Sequence, residues 1–418
     1  IRAGLVPALL PPLWRERELV GALEALAPKA LVAPTRCEDD HPADRARYVA
    51  AALFSVRFVL SFGPDTPDGV VALDDCFERP NGREPKPVAL AEPGEAPAIV
   101  TFRTTTNGHV PVARSHNHWV AAGLATLLEG RMEPGETLLT TMMPSSFVGV
   151  ATGLMPWLLG GGTLHLHQPI DIDALGRVIV ERDVTRVVLP GLFAGEIAAR
   201  LPVQDARALR GVIGVFGDPR RAADARPIHG GIEAIDVIGF DEWGLVARRR
   251  QSGRPAPVPL GAAKHPLDGV NAPTLLETRL TGTGRVELRG PMTPLEPGAV
   301  NGFQSTGFFA RASEESFVVT GRSDQVAQVG GLGVGLEDVA EVLREVAPVK
   351  ALKTIAVCDP LFGERIEARY ALADHSNLDA AAIDAQFRDA LARTPIAPHK
   401  IPSRFVLDPT VIARGAAP

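Results

Sequence analysis

The chain has 418 residues, which is enough for two or three domains with separate cores. Its 45% hydrophobic and 22% charged residues are the proportions of a globular protein. The net charge of −6 argues against binding to nucleic acids or anionic membranes, because both normally require a basic patch. Cys37, Cys76 and Cys358 are far apart, which argues against a disulfide framework or a thiolate metal site and favours a reducing cytoplasm.

The chain opens at Ile1 rather than at methionine, and we expect an N-terminal segment to precede it. Its most apolar stretch, residues 147–166, contains Pro156 and a run of three glycines at 160–162. A helix exposed to lipid would tolerate these breakers poorly. The stretch therefore predicts a buried helix, a turn and a strand, and no membrane span.

Helical and strand-like segments alternate through the first half of the chain. Three helical patterns are each followed by a short apolar run. The helical pattern 15–28 precedes the run 29–34, the pattern 172–183 precedes 184–191, and the pattern 192–201 precedes 209–218. A further apolar run follows at 234–240. This alternation predicts βαβ units and a mostly parallel sheet covered by helices.

The pattern changes twice in the second half. Short runs broken by proline and glycine between residues 250 and 300 predict a small β-rich subdomain or an edge of the main fold. Beyond residue 325, helical patterns lie at 336–347 and 379–393, and strand-like runs lie at 349–359 and 365–372. We therefore predict a large region over 1–320, a hinge at 321–324 and a small C-terminal domain over 325–418, with a proline-rich connector at 79–98.

The segment 99–116 reads IVTFRTTTNGHVPVARSH, a strand-like run that leads into a threonine-rich turn. By itself it is a common kind of polar turn. Four further segments follow in order, at 140–169, 237–250, 303–343 and 397–415. Together they resemble, over essentially the whole chain, the adenylate-forming superfamily of acyl- and aryl-CoA synthetases, peptide-synthetase adenylation domains and luciferases.

The resemblance implies an α/β fold with a large N-terminal region of parallel-type sheets and helices plus a β-rich subdomain. A small, mobile α+β C-terminal domain completes this fold. The implied activity is ATP-dependent conversion of a carboxylic acid to an acyl-adenylate, followed by thioester formation with CoA. The implied cofactors are ATP, Mg²⁺ and CoA.

The superfamily's phosphate loop, T-S-G-T-T-G-x-P-K-G-V-x-x-S-H, aligns with residues 102–116. The resemblance implies that Thr105 and Thr106 bind the nucleotide and that Thr106 and His116 take part in catalysis. Val110 replaces the lysine of this loop, and its glycines are replaced by Thr104, Asn107 and Pro111. Glycines let phosphate oxygens approach the backbone N–H groups closely, and the lysine supplies a positive charge. These replacements therefore weaken the phosphate site that the resemblance implies. Other residues that could supply charge are Arg103, His109 and Arg114.

The segment 237–244 resembles the superfamily's Y-G-S-T-E-x-G, with matches at Gly239, Glu242 and Gly244. The resemblance implies that Glu242 holds the magnesium ion and takes part in catalysis. The implied nucleotide-binding residues, besides the two threonines, are Gly217, Asp218, Pro219, Gly239, Phe240, Asp241 and Arg322.

Further roles are implied by the same resemblance. The acyl pocket is bordered by Ser146, Phe147, Val148 and Gly149, whose modest size permits an aromatic or medium aliphatic acid. Gly330 and Gly331 line the CoA tunnel, Asp324 is the hinge about which the C-terminal domain rotates, and Lys400 is a structural lysine.

Three charged positions of the superfamily hold uncharged residues in this chain. Phe308 stands where an aspartate binds the ribose, Val110 replaces the loop lysine, and Ala416 stands where a lysine activates the carboxylate. Losing one preorganised charge typically costs about 3 kcal/mol of transition-state stabilisation. The alternative is therefore a catalytically lapsed member that binds an acyl compound or a partner protein. A third interpretation keeps only the thioester half-reaction.

Other kinds of site lack support in the sequence. The histidine pairs at 116/118 and 165/167 have no cysteine or H-E-x-x-H pattern to complete a zinc site. A G-x-S-x-G elbow is absent, and Gly331-x-Gly333 lacks the third glycine of a dinucleotide fingerprint. The expected partner is a small-molecule carboxylic acid, with no nucleic acid, and a homodimer is left open.

Overall fold

A mostly parallel six-stranded sheet lies at the centre of the fold in the computed structural model of the chain. The structure describes residues 1, 3–78, 88–89, 92–168, 171–201, 206–228, 231–264, 273–323, 325–345, 349–359, 362–372 and 380–411. The α-helices in these ranges are α1 (Glu16–Leu26), α2 (Pro42–Ala52), α3 (Asp74–Glu78), α4 (His116–Glu129), α5 (Phe147–Gly149), α6 (Met155–Gly160), α7 (Ile172–Glu181), α8 (Gly191–Arg200), α9 (Leu336–Arg344) and α10 (Ala380–Arg393).

The N-terminal part contains a small sheet and a hairpin. The small sheet orders its strands as β1 (Ala30–Pro34), β2 (Phe58–Phe62) and β3 (Val71–Ala72), and the hairpin consists of β4 (Pro97–Thr105) and β5 (Gly108–Ser115). Trp14, Leu23 and Val49 pack with Val59 and Phe102 in one buried cluster. This cluster packs α1 and α2 against the small sheet and against the hairpin.

The central sheet contains β6 (Thr137–Thr140), β7 (Thr163–Leu166), β8 (Arg186–Pro190), β9 (Gly211–Phe216), β10 (Glu233–Gly239) and β11 (Leu245–Arg249). Its strand order is β11-β10-β9-β8-β6-β7, and only β11 runs antiparallel. All six residues of β9 are buried, because a parallel strand covered on both faces is apolar throughout. The predicted alternation of strand and helix is confirmed.

The strand order of the central sheet reverses between β6 and β8. In open α/β sheets, ligands bind outside the carboxyl ends of the strands at such a reversal. Here the carboxyl ends of β6, β8, β9 and β10 form one edge, which we call the carboxyl edge. The fold therefore predicts a ligand site at this edge.

One helix, residues 147–160, begins just beyond β6. It consists of α5, a π-helical turn (Val150–Leu154) and α6, and the side chain of Ser146 accepts a hydrogen bond from the N–H of Gly149 at 3.1 Å. The chain then turns at Gly161 and Gly162, both with positive φ, into β7. The predicted helix, turn and strand are confirmed. Among the described helices, none has the length and apolar composition that a membrane crossing requires.

The β-rich part predicted near residues 250–300 is a six-stranded sheet. It contains β12 (Val258–Pro259), β13 (Gly261–Lys264), β14 (Thr274–Leu280), β15 (Arg285–Arg289), β16 (Gln304–Ser313) and β17 (Ser316–Arg322), with each described pairing antiparallel. Its buried residues, including Leu276, Leu288 and Phe317, share one core with the central sheet. The β-rich prediction is confirmed.

The C-terminal part has its own sheet and its own core. The sheet contains β18 (Val326–Val329), β19 (Leu332–Gly335), β20 (Val349–Asp359), β21 (Gly363–Leu372) and β22 (Arg404–Leu407). Leu343 of α9 and Phe387 of α10 pack with Tyr370 of β21 in a cluster formed only by residues beyond 326. The division at 321–324 stays a prediction, and Asp324 lies outside the described residues.

Candidate functional site

Gly239, the last residue of β10, is where the predicted nucleotide-binding and acyl-pocket segments meet. A Cβ atom on Gly239 would lie 2.6 Å from Cγ1 of Val148 and 3.5 Å from the carbonyl oxygen of Phe216. A side chain at residue 239 would require Val148 to shift, so glycine permits this close approach of helix 147–160 to the sheet. The structure thus brings Val148 and Gly239 together at the carboxyl edge.

The turn between β18 and β19 reaches the same edge. Gly330 and Gly331 form it with φ values of 61° and 82°, in the left-handed region that favours glycine. A Cβ atom on Gly217 would lie 3.6 Å from the carbonyl oxygen of Gly331. The residues predicted to line the CoA tunnel therefore face a residue predicted to bind the nucleotide.

The segment that aligns with the superfamily's phosphate loop is a tight hairpin. Strands β4 and β5 pair as far as Thr105 and Gly108, which leaves only Thr106 and Asn107 as the turn. Thr104, in place of a glycine, and Val110, in place of the lysine, both favour a strand, so the strand pairing extends into the segment. The strand-like run and threonine-rich turn seen in the sequence are thus a β-hairpin with a two-residue turn.

The hairpin tip contacts the C-terminal part. The hydroxyl of Thr105 donates to the carbonyl of Gly108 at 3.0 Å, and that of Thr106 donates to the carbonyl of Gln325 at 3.5 Å. The N–H of Asp338 donates to the carbonyl of Thr106 at 3.2 Å. Both hydroxyls are engaged within the protein in this arrangement, and phosphate binding by Thr105 and Thr106 stays a prediction.

Glu242 is buried and paired with Arg114. Its Oε2 accepts hydrogen bonds from Arg114 at 2.7 Å and from the hydroxyl of Thr101, and its Oε1 accepts from the N–H of Phe147 at 3.1 Å. The second terminal nitrogen of Arg114 donates to the carbonyl of Glu242. Burial lowers the pKa of Arg114, and Glu242 opposes this shift.

This arrangement does not fit the predicted magnesium site at Glu242. Both carboxylate oxygens already accept hydrogen bonds, and one of them lies against a guanidinium. Magnesium binds carboxylates through oxygens that point into an open, hydrated site. In the described parts of the chain, no group of three or more histidine, cysteine, aspartate or glutamate residues is placed to hold a metal ion.

Asp241 and Arg322 form a second ion pair at the carboxyl edge. Arg322 donates to Oδ1 of Asp241 at 3.0 Å and also contacts Oδ2, and Gln328 donates to Oδ1 at 3.4 Å. Asp241 has a φ of 49°, which aspartate tolerates better than most residues. The guanidinium lies 4.7 Å from the ring centroid of Phe308. This pair links two predicted nucleotide-binding residues to the C-terminal part.

Two other predicted nucleotide-binding residues follow β9. The carboxylate of Asp218 caps a 3₁₀ helix (Pro219–Asp224) by accepting from the N–H of Arg220 at 3.0 Å. The side chain of Arg220 pairs with this carboxylate and also lies 2.9 Å from Oε1 of Glu364 in β21. The turn after Gly217 is thereby tied to the C-terminal sheet.

Several predicted side chains belong to the core or to helix caps. Phe240 is fully buried, with its ring 6.0 Å from the ring of Phe308, and its N–H and carbonyl are hydrogen-bonded to Gly244 and Trp243 in the turn after β10. The ring of Phe147 is also fully buried, and Gly149 lies in the first turn of its helix. His116 is the first residue of α4, which Ser115 caps. The catalytic role of His116 stays a prediction.

Sequence reasoning missed several contacts of the site. Thr101 lies in a strand-like run that carries no chemical signal, and the partners of Arg114 and Lys400 are distant in sequence. Lys400 is buried between Glu18 and Asp338, which is consistent with a structural role. A cleft of about 550 Å³ opens beside these residues, away from the carboxyl edge, and His109 lines it. Ala416 lies outside the described residues.

Comparison with known proteins finds similarity to two CoA ligases and to an amide bond synthetase. No family model matches the chain. The 2-hydroxy-7-methoxy-5-methyl-1-naphthoate–CoA ligase of Streptomyces carzinostaticus is 26% identical over 98% of this chain and 77% of its own length. The sulfoacetate–CoA ligase of Cupriavidus necator is 22% identical over 74% of this chain and 63% of its own length. The amide bond synthetase McbA of Marinactinospora thermotolerans has the same fold, with a TM-score of 0.73 and 22% identity over 100% of this chain and 84% of that chain.

Proposed function

We propose that the chain is a member of the adenylate-forming superfamily that activates a carboxylic acid with ATP and transfers the acyl group to CoA. A carboxylate oxygen attacks the α-phosphorus of ATP, the bond to the β-phosphate oxygen breaks, and pyrophosphate leaves. The thiolate of CoA then attacks the acyl carbon of the mixed anhydride, and AMP leaves.

The observation that supports this proposal most directly is the meeting of Gly217, Gly239, Val148 and Gly331 at the carboxyl edge. Nucleotide, acid and thiol must reach one place for both half-reactions, and the residues assigned to each lie together there. The turn of Gly330 and Gly331 faces this edge in the present arrangement. We assign the arrangement to thioester formation, since it places the predicted CoA tunnel against the site.

The protein's own contribution to this chemistry is positioning and electrostatic stabilisation. We assign to Arg322 the role of contacting a phosphate at the carboxyl edge, and in the present arrangement Asp241 engages its guanidinium. The hydroxyl of Thr106 would become a neutral donor once the C-terminal part moves away from the hairpin, and that of Thr105 once it turns from the carbonyl of Gly108. Magnesium would accompany ATP through the phosphate oxygens.

A second candidate function has specific support. The carboxylate of Glu242 and the guanidinium of Arg322 are both engaged within the protein, and Phe308 is buried where the superfamily has a ribose-binding aspartate. A catalytically lapsed protein that binds an acyl compound or a partner protein would show the same features. The two candidates make different predictions for the adenylation step.

The test is pyrophosphate exchange with a panel of aromatic and aliphatic acids, for the natural chain and for Ala416→Lys. The lysine would restore a mobile positive charge near the carboxylate and the α-phosphate, where arginine is a poor geometric substitute. We expect Ala416→Lys to raise the exchange rate at least about tenfold, or roughly 1.4 kcal/mol. Ala417→Lys, with the same charge one residue later, is the matched control.

Thioester formation from supplied acyl-adenylate and CoA is measured in parallel. It should change much less in Ala416→Lys, because it uses the other orientation of the C-terminal part. If Ala416→Lys is folded and binds acid but exchange stays flat, the lapsed candidate becomes the better description.

A further inference from the structure

We propose that Glu242 is a positioning residue for the acyl pocket, neutralised by Arg114, and that it is not a ligand of magnesium. The kinetic consequences of this inference rest on the proposed function. The contacts of Glu242 from which it is argued lie within the described residues and do not depend on that function. It departs from the role that the sequence resemblance implies for this glutamate.

The environment of the carboxylate is complete without a metal ion. Its side chain is 7% exposed and receives one N–H from Phe147, one N–H from Arg114 and the hydroxyl of Thr101. The hydroxyl of Thr101 also accepts from Arg114 at 2.8 Å, which closes a three-residue network. A buried carboxylate with this many donors has its hydrogen-bonding capacity met.

The cation at this carboxylate is fixed in place. The Arg114 side chain is 0% exposed, and its guanidinium carbon lies 4.2 Å from the ring centroid of Phe147 and 5.2 Å from that of Trp119. The planar guanidinium can therefore neither leave nor rotate without disrupting the core. A divalent cation on the same oxygen would be held next to this permanent positive charge, which electrostatics disfavours.

The pair also sets the position of the acyl pocket. The N–H that Oε1 accepts belongs to Phe147, the first residue of helix 147–160, and the next residue, Val148, packs against Gly239. Glu242 thus ties the carboxyl end of β10 to the start of that helix. Loosening this contact would move Val148, and therefore the wall of the pocket, without touching a phosphate.

The kinetic test compares the magnesium requirement with the apparent KM for the acid in Glu242→Gln, made in the Ala416→Lys background so that exchange is measurable. We expect the Mg²⁺ concentration for half-maximal exchange to stay within about twofold and the KM for the acid to rise at least about fivefold. A magnesium requirement that rises tenfold or more, with an unchanged KM for the acid, would overturn the proposal.

A matched control separates this effect from loss of stability. Glu136 and Arg186 form a buried pair of similar exposure, with side chains 5% and 4% exposed and 3.0 Å apart, at the opposite end of β6 and β8. Glu136→Gln should destabilise the protein and leave the KM for the acid unchanged. If the KM for the acid rose equally in Glu136→Gln and in Glu242→Gln, general destabilisation would explain both increases. That result would overturn the positioning role of Glu242.

One measurement remains decisive if no acid supports exchange, an outcome that would count against the proposed function alone. Mn²⁺ titration followed by electron paramagnetic resonance should give the same binding curve for the natural chain and Glu242→Gln. A Mn²⁺ site that Glu242→Gln removes would overturn the proposal.

Should Glu242→Gln fail to fold, the Glu242→Gln/Arg114→Met variant replaces the pair with neutral side chains. It should fold and give the Mn²⁺ curve of the natural chain, because it leaves no unpaired buried charge. A lost Mn²⁺ site in this variant would equally overturn the proposal.

Discussion

The ammonium of Lys400 lies 3.1 Å from Oε1 of Glu18, although one residue belongs to the C-terminal part and the other to the first helix. Their side chains are 3% and 1% exposed. Glu18 also accepts the N–H of Ala397 at 3.1 Å, and Lys400 lies 2.5 Å from Oδ2 of Asp338. This buried set, Glu18, Asp338 and Lys400, joins α1 to the C-terminal part, and we call it the Lys400 cluster.

Replacing Lys400 by methionine should strongly destabilise the protein, because two carboxylates are left near one another without their cation. Breaking a buried pair by removing one partner typically costs about 3–5 kcal/mol. Urea unfolding measures the change. Arg47→Met is the control, since Arg47 and Asp44 are 3.0 Å apart but 50% and 46% exposed. Its cost should stay below about 1 kcal/mol, and equal losses in the two variants would contradict the role of the Lys400 cluster.

Acid should weaken the contact between the two parts of the chain through His109 and His399. Burial, with Lys400 and His399 nearby, lowers the pKa of His109 from 6.5 to about 2. Burial, with Lys400 nearby, lowers the pKa of His399 from 6.5 to about 4. Below pH 6.5 the unfolded chain binds protons that the folded chain does not, so stability falls with falling pH until each folded-state pKa is reached.

The expected loss between about pH 6.5 and 5 is up to roughly 2 kcal/mol for each histidine. Urea unfolding across this range should show a flatter pH dependence in the His109→Asn/His399→Gln variant. His41 is exposed and serves as the control, so His41→Gln should keep the slope of the natural chain. A slope that is the same in all three proteins would exclude His109 and His399 as its source.

Gly239→Ala should disturb the carboxyl edge, because its Cβ would lie 2.6 Å from Cγ1 of Val148. Overpacking of this kind typically costs about 1–3 kcal/mol. The Gly239→Ala/Val148→Ala variant removes the clashing methyl groups and should recover most of the stability and the KM for the acid. Independent, additive effects of the two substitutions would show that the residues are not in contact.

The C-terminal part should take two orientations relative to the large region, as the proposed half-reactions require. Cys37 and Cys358 are free, exposed and on opposite sides of the predicted hinge, so spin labels can be attached there in a Cys76→Ser protein. We expect two distance populations whose ratio changes when an acyl-adenylate analogue and CoA are added. A single distribution in every state would remove the rotation from the mechanism.

Local patterns were sufficient to predict most of the elements and the order of the site segments. The run 349–359 is β20, and the helical pattern at 172–183 contains α7, whose Leu175 and Ile179 are buried four residues apart. Burial on one face of a helix, or on both faces of a central strand such as β9, imposes a period on neighbouring residues. The resemblance identifies the glycines at 217, 239, 330 and 331. Positive φ accounts for glycine at 330 and 331, and the Val148 side chain leaves little room for a Cβ atom at 239.

Contacts between residues distant in sequence required the tertiary structure. The sequence identified Glu242 but not its pairing with Arg114 and Thr101, and it identified Lys400 but not Glu18 or Asp338. The residue type of a charged side chain does not reveal whether a metal ion, a phosphate or another side chain neutralises it. Only the folding of β5, β10 and helix 147–160 against one another places a guanidinium at the Glu242 carboxylate, because burying that carboxylate requires a partner that no local pattern specifies.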